Sequence, residues 1–269
     1  QFGSWEYVAV MNQEKGTEII VDWEDQTSVR MSAAQLYELV FDGNNKWMLS
    51  ANGTLFTYDY EAIIPGLLKR WYEERQEMQR KMRECGDNEI EREYWDKRQL
   101  VKKINLNSLY GAILNPGCRF FDMRIGQSVT LTGRCITQHM ASKVNEVVTG
   151  EYDHKGKSIV YGDTDSVYFS AFKTLQKEIK EGVIPWTKDS VVALYDKIAD
   201  EVNGSFKSFM TKAFHTPSTR GEVIAAGREL VASKGLFITK KRYAVLYYDK
   251  EGKRADVEGK DGKMKAMGL

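Results

Sequence analysis

Two aspartates, Asp163 and Asp165, stand two residues apart between short apolar and aromatic runs. The flanking runs, 158–161 and 167–169, are rich in strand-forming residues and predict a β-hairpin. Side chains at i and i+2 project to the same side of a strand, which would let the two carboxylates converge. Two anions held close together favour a hard divalent cation, Mg²⁺ or alternatively Mn²⁺. The structural alternative is a plain surface turn, in which Asp, Thr and Gly are common.

A cation and an amide, Lys103 and Asn107, lie four residues apart on a predicted helix, with Gln99 one turn earlier. This spacing places them on one helix face, where they suit a phosphate and a sugar or base edge. Tyr110 can stack or pack near the end of this stretch, and Gly111 would let another backbone come close. The structural alternative is a solvated helix face with a buried tyrosine.

Three consecutive basic residues, Lys240, Lys241 and Arg242, precede Tyr243 between two strand-like runs. The surrounding segment is the one strongly basic stretch of a chain whose net charge is only +1. Clustered cations beside an aromatic residue suit the phosphate backbone of a nucleic acid. The structural alternative is an edge strand protected by its lysines.

Helical and strand-like patterns predict the elements that must position these motifs. Proline at a first helical position, followed by strong helix formers, predicts a helix over 65–84. A break at Gly86 predicts a tight turn into a second, antiparallel helix over 89–109. Further helices are predicted at 34–41, 127–148 and 189–212, and strands at 18–21, 236–238 and 243–248. This order of elements predicts an α+β fold.

Composition excludes several other classes of protein. The hydrophobic and charged fractions, 42% and 29% of 269 residues, argue against bulk disorder. Three scattered cysteines without a CxxC pair argue against structural zinc or disulfides and fit a reducing cytoplasm. No apolar run approaches the roughly 18 residues of a membrane span, so no membrane role is expected. The first residue is Gln1 and the chain stops at Leu269 without a natural cap, so we expect a part of a longer protein.

Taken together, the three motifs resemble signature motifs of family B DNA polymerases, and are most similar to those of T-even-type phage replicative enzymes. They occur in the family's order and at suitable separations: KxxxNSLYG at Lys103–Gly111, YGDTDS at Tyr161–Ser166 and KKRY at Lys240–Tyr243. The resemblance implies a polymerase palm, an antiparallel sheet backed by helices, with a two-helix antiparallel fingers subdomain. It divides the chain into a palm-proximal segment (1–60), fingers helices (61–112) and palm (113–269).

The resemblance implies template-directed DNA synthesis, in which a dNTP is transferred to a primer 3′-OH by a two-metal mechanism with Mg²⁺. Asp165 would bind both metal ions, and Asp163 would contribute directly or from just behind it. Glu229, in an Arg-Glu pair before the KKRY strand, would lie near the metals. Lys103 would grip the triphosphate and help to protonate the leaving group. The implied catalytic residues are therefore Asp163, Asp165 and Lys103.

Contacts to the nucleotide and to DNA are implied in the same way. Arg75 fits the family's triphosphate-binding arginine, whereas the lysine that should follow one turn later is replaced by Gln79. Arg80 could take over, but it points about 100° away on the helix. The implied nucleotide-binding residues are Arg75, Arg80, Lys103, Asn107 and Tyr110. The implied DNA-binding residues are Lys240, Lys241, Tyr243 and Gly111.

Some expected parts of such an enzyme have no counterpart in this sequence. The family's third catalytic carboxylate belongs to a DxxSLYPS motif, which does not occur in residues 1–60, and the thumb and exonuclease domain are also absent. The leading hypothesis is a split or truncated polymerase, nearly inactive alone, that needs a complementary polypeptide. Its other partners would be primer–template DNA, dNTP and a sliding clamp, in the cytoplasm of an infected bacterial host.

Two other hypotheses remain. The chain could be a noncatalytic nucleic-acid-binding module that keeps the palm surface, or an unrelated metal-dependent phosphotransfer enzyme. The two aspartates favour the polymerase over the binding module, since a pure binder gains nothing from two anions beside DNA. The KKRY and NSLYG motifs argue against the unrelated enzyme.

Overall fold

The structure, a computed structural model, describes residues 3–22, 26–42, 47–257 and 259–268. Leu269, the last residue of the sequence, lies outside the described residues. The chain divides into two compact units, residues 1–131 and 132–269, and the division falls inside a long helix, α5 (Met123–Thr149).

The first unit opens with two short helices and two small β-hairpins. In chain order they are α1 (Ser4–Met11), β1 (Glu18–Asp22), β2 (Ser28–Ser32), α2 (Ala33–Phe41), β3 (Trp47–Leu49) and β4 (Leu55–Thr57). Val10, Ile19, Leu36 and Val40 are buried together and form the core of this part. The helix predicted at 34–41 is confirmed as α2, which Ser32 starts with a capping box. The helix α1 was not predicted, because Gly3 at its start provides no side-chain cap.

Two long antiparallel helices follow, α3 (Ile63–Glu84) and α4 (Glu89–Ile113), as the sequence predicts. No residue of α3 is fully buried, so contacts between side chains at the helix surfaces hold the pair together. The ammonium group of Lys102 on α4 lies 2.5 Å from Glu74 on α3 and 5.6 Å from the ring centre of Trp71. Lys81 lies over the ring of Trp95 at 4.6 Å.

The second unit contains most of α5 (Met123–Thr149) and the remaining elements. They are β5 (Ile159–Asp163), β6 (Ser166–Phe169), α6 (Gln176–Lys180), α7 (Lys188–Phe214), α8 (Ser218–Gly221), β7 (Leu230–Thr239), β8 (Arg242–Lys250), β9 (Lys253–Arg254) and β10 (Lys263–Met267). The strands β10, β8 and β7 lie side by side, and β9 also pairs with β8. The hairpin β5–β6 forms a sheet of its own.

Two long helices back the β5–β6 hairpin. Val144 of α5 and Ile198 and Phe206 of α7 form a buried cluster, and Ile159 and Phe169 of the hairpin pack against it. The α+β fold is confirmed, although the described strands fall into four small antiparallel sheets and not into one. None of the helices in the described ranges is long and apolar enough to cross a membrane.

Candidate functional site

The two aspartates lie at the tip of the β5–β6 hairpin. Asp163 ends β5 and pairs with Ser166 of β6, while Thr164 and Asp165 form the turn between the strands. Because Asp165 lies in the turn, the predicted alternation along a strand does not determine its direction. The backbone of the turn determines it, and Thr164 there has a left-handed φ of 46°. This conformation is a genuine outlier for a β-branched residue and needs support from its surroundings.

Part of that support comes from α5. The hydroxyl oxygen of Thr137 lies 2.8 Å from the carbonyl oxygen of Thr164 and 3.0 Å from that of Gly133 on its own helix. Its single proton is therefore shared between the turn and the helix. Thr137 ties the turn that carries Asp165 to a helix that also belongs to the buried core of this unit.

The carboxylates themselves are accessible. Asp163 is half-buried and accepts a hydrogen bond from the Thr164 hydroxyl at 3.2 Å, while Asp165 is exposed. Neither takes part in the ion pairs found among the described residues. In the same ranges, no three His, Cys, Asp or Glu side chains gather as a metal-binding group. Since Mg²⁺ usually takes one or two carboxylates and completes its shell with water and substrate phosphates, the hairpin suits a partial ligand set.

An aromatic cluster joins this hairpin to the KKRY motif. Tyr161 and Tyr168 of the hairpin meet Phe237 of β7 and Tyr243 of β8, with ring centres 5.2–6.1 Å apart. The Tyr168 hydroxyl donates to the Tyr243 hydroxyl oxygen at 3.1 Å. Burial, reinforced by this hydrogen bond, raises the pKa of Tyr168 to about 12. Tyr168 therefore stays neutral at physiological pH, and the cluster holds the two motifs together within one unit.

The lysines of the KKRY motif occupy a turn and not an edge strand. Thr239 pairs with Arg242, which leaves Lys240 and Lys241 as the exposed turn between β7 and β8. Lys241 has a left-handed φ of 61°, and its backbone N–H donates to the Tyr161 hydroxyl oxygen at 2.8 Å. In contrast, Tyr243 is only 5% exposed. The two lysines therefore form the accessible part of the predicted DNA-binding group.

The Arg-Glu pair before β7 has two separate structural roles. Arg228 donates to Asp196 of α7 and, at 2.6 Å, to Asp249 of β8, which is 2% exposed. Burial alone would lower the pKa of Arg228, but these two hydrogen bonds raise it. Glu229 is exposed and pairs with Lys265 of β10 at 2.8 Å. A metal ion bound by Glu229 would have to compete with that ion pair.

Predicted nucleotide contacts lie on the α3–α4 hairpin. The guanidinium of Arg75 donates to Gln99 at 3.2 Å, which places Arg75 beside the α4 stripe of Gln99, Lys103 and Asn107. Lys103 and Asn107 are exposed, and Lys103 takes no part in the ion pairs among the described residues, whereas Lys102 is held by Glu74. The stripe is thus open to an anion.

Arg80 is less available. Its guanidinium donates hydrogen bonds to the carboxylates of Glu77 and Glu84 on its own helix, and these hydrogen bonds raise its pKa. An incoming phosphate would have to displace both carboxylates. Arg75 therefore has the better placement of the two predicted arginines.

Tyr110 and Gly111 lie near the end of α4. The half-buried Tyr110 donates to the backbone carbonyl of Gly126 at 3.2 Å, which joins α4 to the start of α5. Gly111 is exposed, and a methyl group at this position would meet nothing within 4 Å. The described part of the chain therefore leaves room for a side chain at this position.

Sequence reasoning missed several residues that support the site, among them Thr137, Tyr161, Tyr168 and Phe237. Tyr161 stands inside the YGDTDS motif, so its proximity to the carboxylates was a usable signal. The contact between Tyr161 and Lys241 spans 80 residues, and no local pattern predicts it.

Comparisons with known proteins point to one family. A family model described as DNA polymerase family B matches residues 20–213, which include two of the three motifs. A DNA-directed DNA polymerase of Escherichia phage RB69 is 34% identical over 183 residues, covering 64% of this chain and 19% of the relative. The DNA-directed DNA polymerase of Enterobacteria phage T4 is 32% identical over 168 residues, covering 58% and 18%. These matches confirm the resemblance that the motifs indicated.

A solved structure is also similar. The family B DNA polymerase from the hyperthermophilic archaeon Pyrobaculum calidifontis aligns with 83% of this chain and 22% of its own, at 21% identity and a TM-score of 0.44. The chain spans about a fifth of the length of the curated relatives it matches.

Proposed function

Because the chain belongs to DNA polymerase family B, we propose that it supplies the fingers and the metal-binding part of the palm for template-directed DNA synthesis. One observation carries the proposal. The aspartate hairpin and the lysine turn, 75 residues apart at Tyr168 and Tyr243, are joined by a hydrogen bond inside one aromatic cluster. A pair of carboxylates and a pair of exposed lysines, on elements that share one aromatic cluster, suit metal-bound phosphates and a nucleic-acid backbone.

Asp165 and Asp163 would hold two Mg²⁺ ions, or Mn²⁺ in their place, and Glu229 would approach them if its ion pair with Lys265 opened. When bound, the ions supply charge neutralisation at the attacking 3′-oxygen and at the leaving pyrophosphate. The turn at Thr164 leaves Asp165 exposed to solvent. An ion that arrives together with its nucleotide could therefore reach this carboxylate.

The helix hairpin would bind the triphosphate. Arg75 and Lys103 provide positive charge on one side of the hairpin, and Asn107 provides an amide one turn further along. Lys103 has the further role of donating a proton to the leaving group. Arg80 would join them only by releasing Glu77 and Glu84. Tyr110, fixed by its bond to Gly126, would face the nascent base pair.

Primer–template DNA would lie against the lysine turn. Lys240 and Lys241 would neutralise backbone phosphates. The buried Tyr243 would fix the position of the turn, and DNA would come close at Gly111.

We assign residues 61–112 to the fingers, 113–269 to the palm and 1–60 to the segment leading into the fingers. A sliding clamp would be a further partner, and the host cytoplasm the place of action.

The third carboxylate of the site would come from a DxxSLYPS segment outside this sequence, on the rest of the polymerase or on a partner polypeptide. The chain alone should then extend primers poorly, and addition of that segment should restore extension.

The test is a primer-extension assay on this chain mixed with an N-terminal polymerase fragment that carries DxxSLYPS. We expect extension from the mixture, little from either piece, and none when Asp165→Asn replaces the wild-type chain. If both pieces are folded and bound to each other, failure of the wild-type mixture would contradict the proposal. Undiminished DNA binding without any extension would favour a noncatalytic binding module.

A further inference from the structure

We infer that Tyr161 is a positioning residue for primer–template DNA: its hydroxyl fixes the backbone of the Lys240–Lys241 turn relative to the aspartate hairpin. The inference rests on the proposed function, since it takes this turn to be the DNA contact. It adds a role for a residue that lies two positions before Asp163 on the same strand.

The turn needs an external support. Lys241 adopts a left-handed φ of 61°, a conformation that is uncommon for residues other than glycine. Its backbone N–H donates to the Tyr161 hydroxyl oxygen at 2.8 Å. Both lysine side chains are exposed. The hydrogen bond to Tyr161 therefore helps to fix the position of the backbone from which they extend.

The ring of Tyr161 is itself held in place. It stacks on Phe237 at 5.5 Å and lies 5.6 Å from Tyr243 and 6.1 Å from Tyr168, measured between ring centres. Phe237 can occupy its position because residue 235 is glycine: a methyl group there would lie 2.9 Å from the Phe237 ring. The hydroxyl of Tyr161 is therefore a fixed acceptor and not a mobile one.

The neighbouring Tyr168 provides a matched control. It belongs to the same cluster and also uses its hydroxyl, but it donates to Tyr243 and not to the turn. Loss of the Tyr168 hydroxyl should disturb the cluster to a similar degree without releasing Lys241.

The experiment compares Tyr161→Phe with Tyr168→Phe in the full chain, since both keep the ring and remove one hydroxyl. Hydrogen exchange of the Lys241 amide, followed by NMR, reports the bond directly. Fluorescence anisotropy with a primer–template duplex reports DNA affinity. We expect Tyr161→Phe to speed exchange at Lys241 and to raise the Kd for DNA about 2- to 10-fold, the range for one lost hydrogen bond. Tyr168→Phe should leave exchange at Lys241 near its wild-type rate and should raise the Kd for DNA less than Tyr161→Phe does, because its hydroxyl bonds to Tyr243 and not to the turn.

The mixture with the N-terminal fragment gives a second readout. Tyr161→Phe should raise the KM for primer–template and leave the KM for dNTP unchanged, a division that general destabilisation would not produce. Unchanged exchange at Lys241, or equal loss of DNA affinity in both variants, would overturn the inference. If the wild-type chain did not bind DNA, both the proposed function and the role given to the turn would be contradicted. The exchange rate of the Lys241 amide would still show whether the hydrogen bond to Tyr161 exists.

Discussion

The hydroxyl of Thr137, on α5, lies 2.8 Å from the carbonyl oxygen of Thr164 in the hairpin turn. The next residue in that turn is Asp165, the strongest candidate for a metal ligand. Because Thr164 has a left-handed backbone, the direction of Asp165 depends on whether this turn keeps its shape. A single side chain on a helix thus helps to orient a carboxylate that it does not touch.

Removal of this hydroxyl should impair catalysis more than folding. Thr137→Val keeps the shape of the side chain, and we expect the kcat of the mixture with the N-terminal fragment to fall about 3- to 10-fold, as for one lost hydrogen bond. Thr137→Ser should retain most of the rate, because serine keeps the donor. Equal rates for the valine variant and the wild type would show that the turn holds its shape without Thr137.

Adjacent lysines on α4 should differ sharply in their effects. Lys103 is exposed on the Arg75 side of the hairpin, whereas Lys102 is held by Glu74 and lies over Trp71. Lys103→Ala should lower kcat/KM for dNTP about 10- to 100-fold, the loss expected for one charge-assisted contact. Lys102→Ala should lower the melting temperature and change kcat/KM much less. Single-nucleotide incorporation by the two variants measures this, and the reverse order would refute the assignment of the phosphate-binding face.

Tight packing behind the hairpin predicts a large cost at one glycine. A methyl group at Gly156 would lie 2.1 Å from the side chain of Asn145, which is 0% exposed and bonded to Ser158. We expect Gly156→Ala to lower the free energy of unfolding by about 1–3 kcal/mol, as overpacking does. At Gly133, in α5, a methyl group would meet nothing within 4 Å, so Gly133→Ala should be neutral or stabilising. Urea unfolding compares the two, and similar values would contradict the packing around Asn145.

Helices and hairpins with strong local signals were predictable from the sequence. Proline at position 65 and the break at Gly86 predicted the α3–α4 pair, and the helix predicted at 189–212 is confirmed as α7. The resemblance carried by three motifs predicted the family, which the match over residues 20–213 confirms. Each of these signals lies within a short stretch of chain.

The supporting contacts of the site were not predictable in the same way. Arg228 bridges Asp196 and Asp249, and Tyr161 meets Lys241; both sets of partners are distant in sequence and have no fixed spacing. The runs 158–161 and 167–169 predicted the hairpin that carries Asp165, but they could not predict the direction of its side chain. Alternation applies along a strand, but a turn with a left-handed residue replaces it with its own geometry.

Stability should fall as the pH drops below about 6.5. His139 is 8% exposed, stacks on Phe209 at 3.9 Å and lies 2.7 Å from the Tyr152 hydroxyl. Burial, assisted by Lys143 and opposed by Glu146, lowers the pKa of His139 below 6.5. As the pH falls, His139 therefore takes up a proton in the unfolded chain at a higher pH than in the folded chain. The stability present above pH 6.5 is lost as the pH falls towards the pKa of His139 in the folded chain.

Urea unfolding at pH 7.5 and 5.5 measures this loss, in a range above the titration of ordinary carboxyl groups. His139→Gln should reduce the difference between the two pH values. Burial also lowers the pKa of His215, so part of the difference should remain in that variant. An unchanged difference would show that His139 does not titrate in this way.

Binding of a divalent cation by the Asp163–Asp165 hairpin is the claim on which the proposed function depends most. Mn²⁺ broadens the NMR signals of nearby amides even when it binds weakly, so a titration of the chain with Mn²⁺ and dNTP locates the ion. We predict that the amides of residues 162–166 broaden first and that Asp163→Asn combined with Asp165→Asn abolishes this effect. Broadening centred elsewhere, or unchanged in the double variant, would contradict the claim.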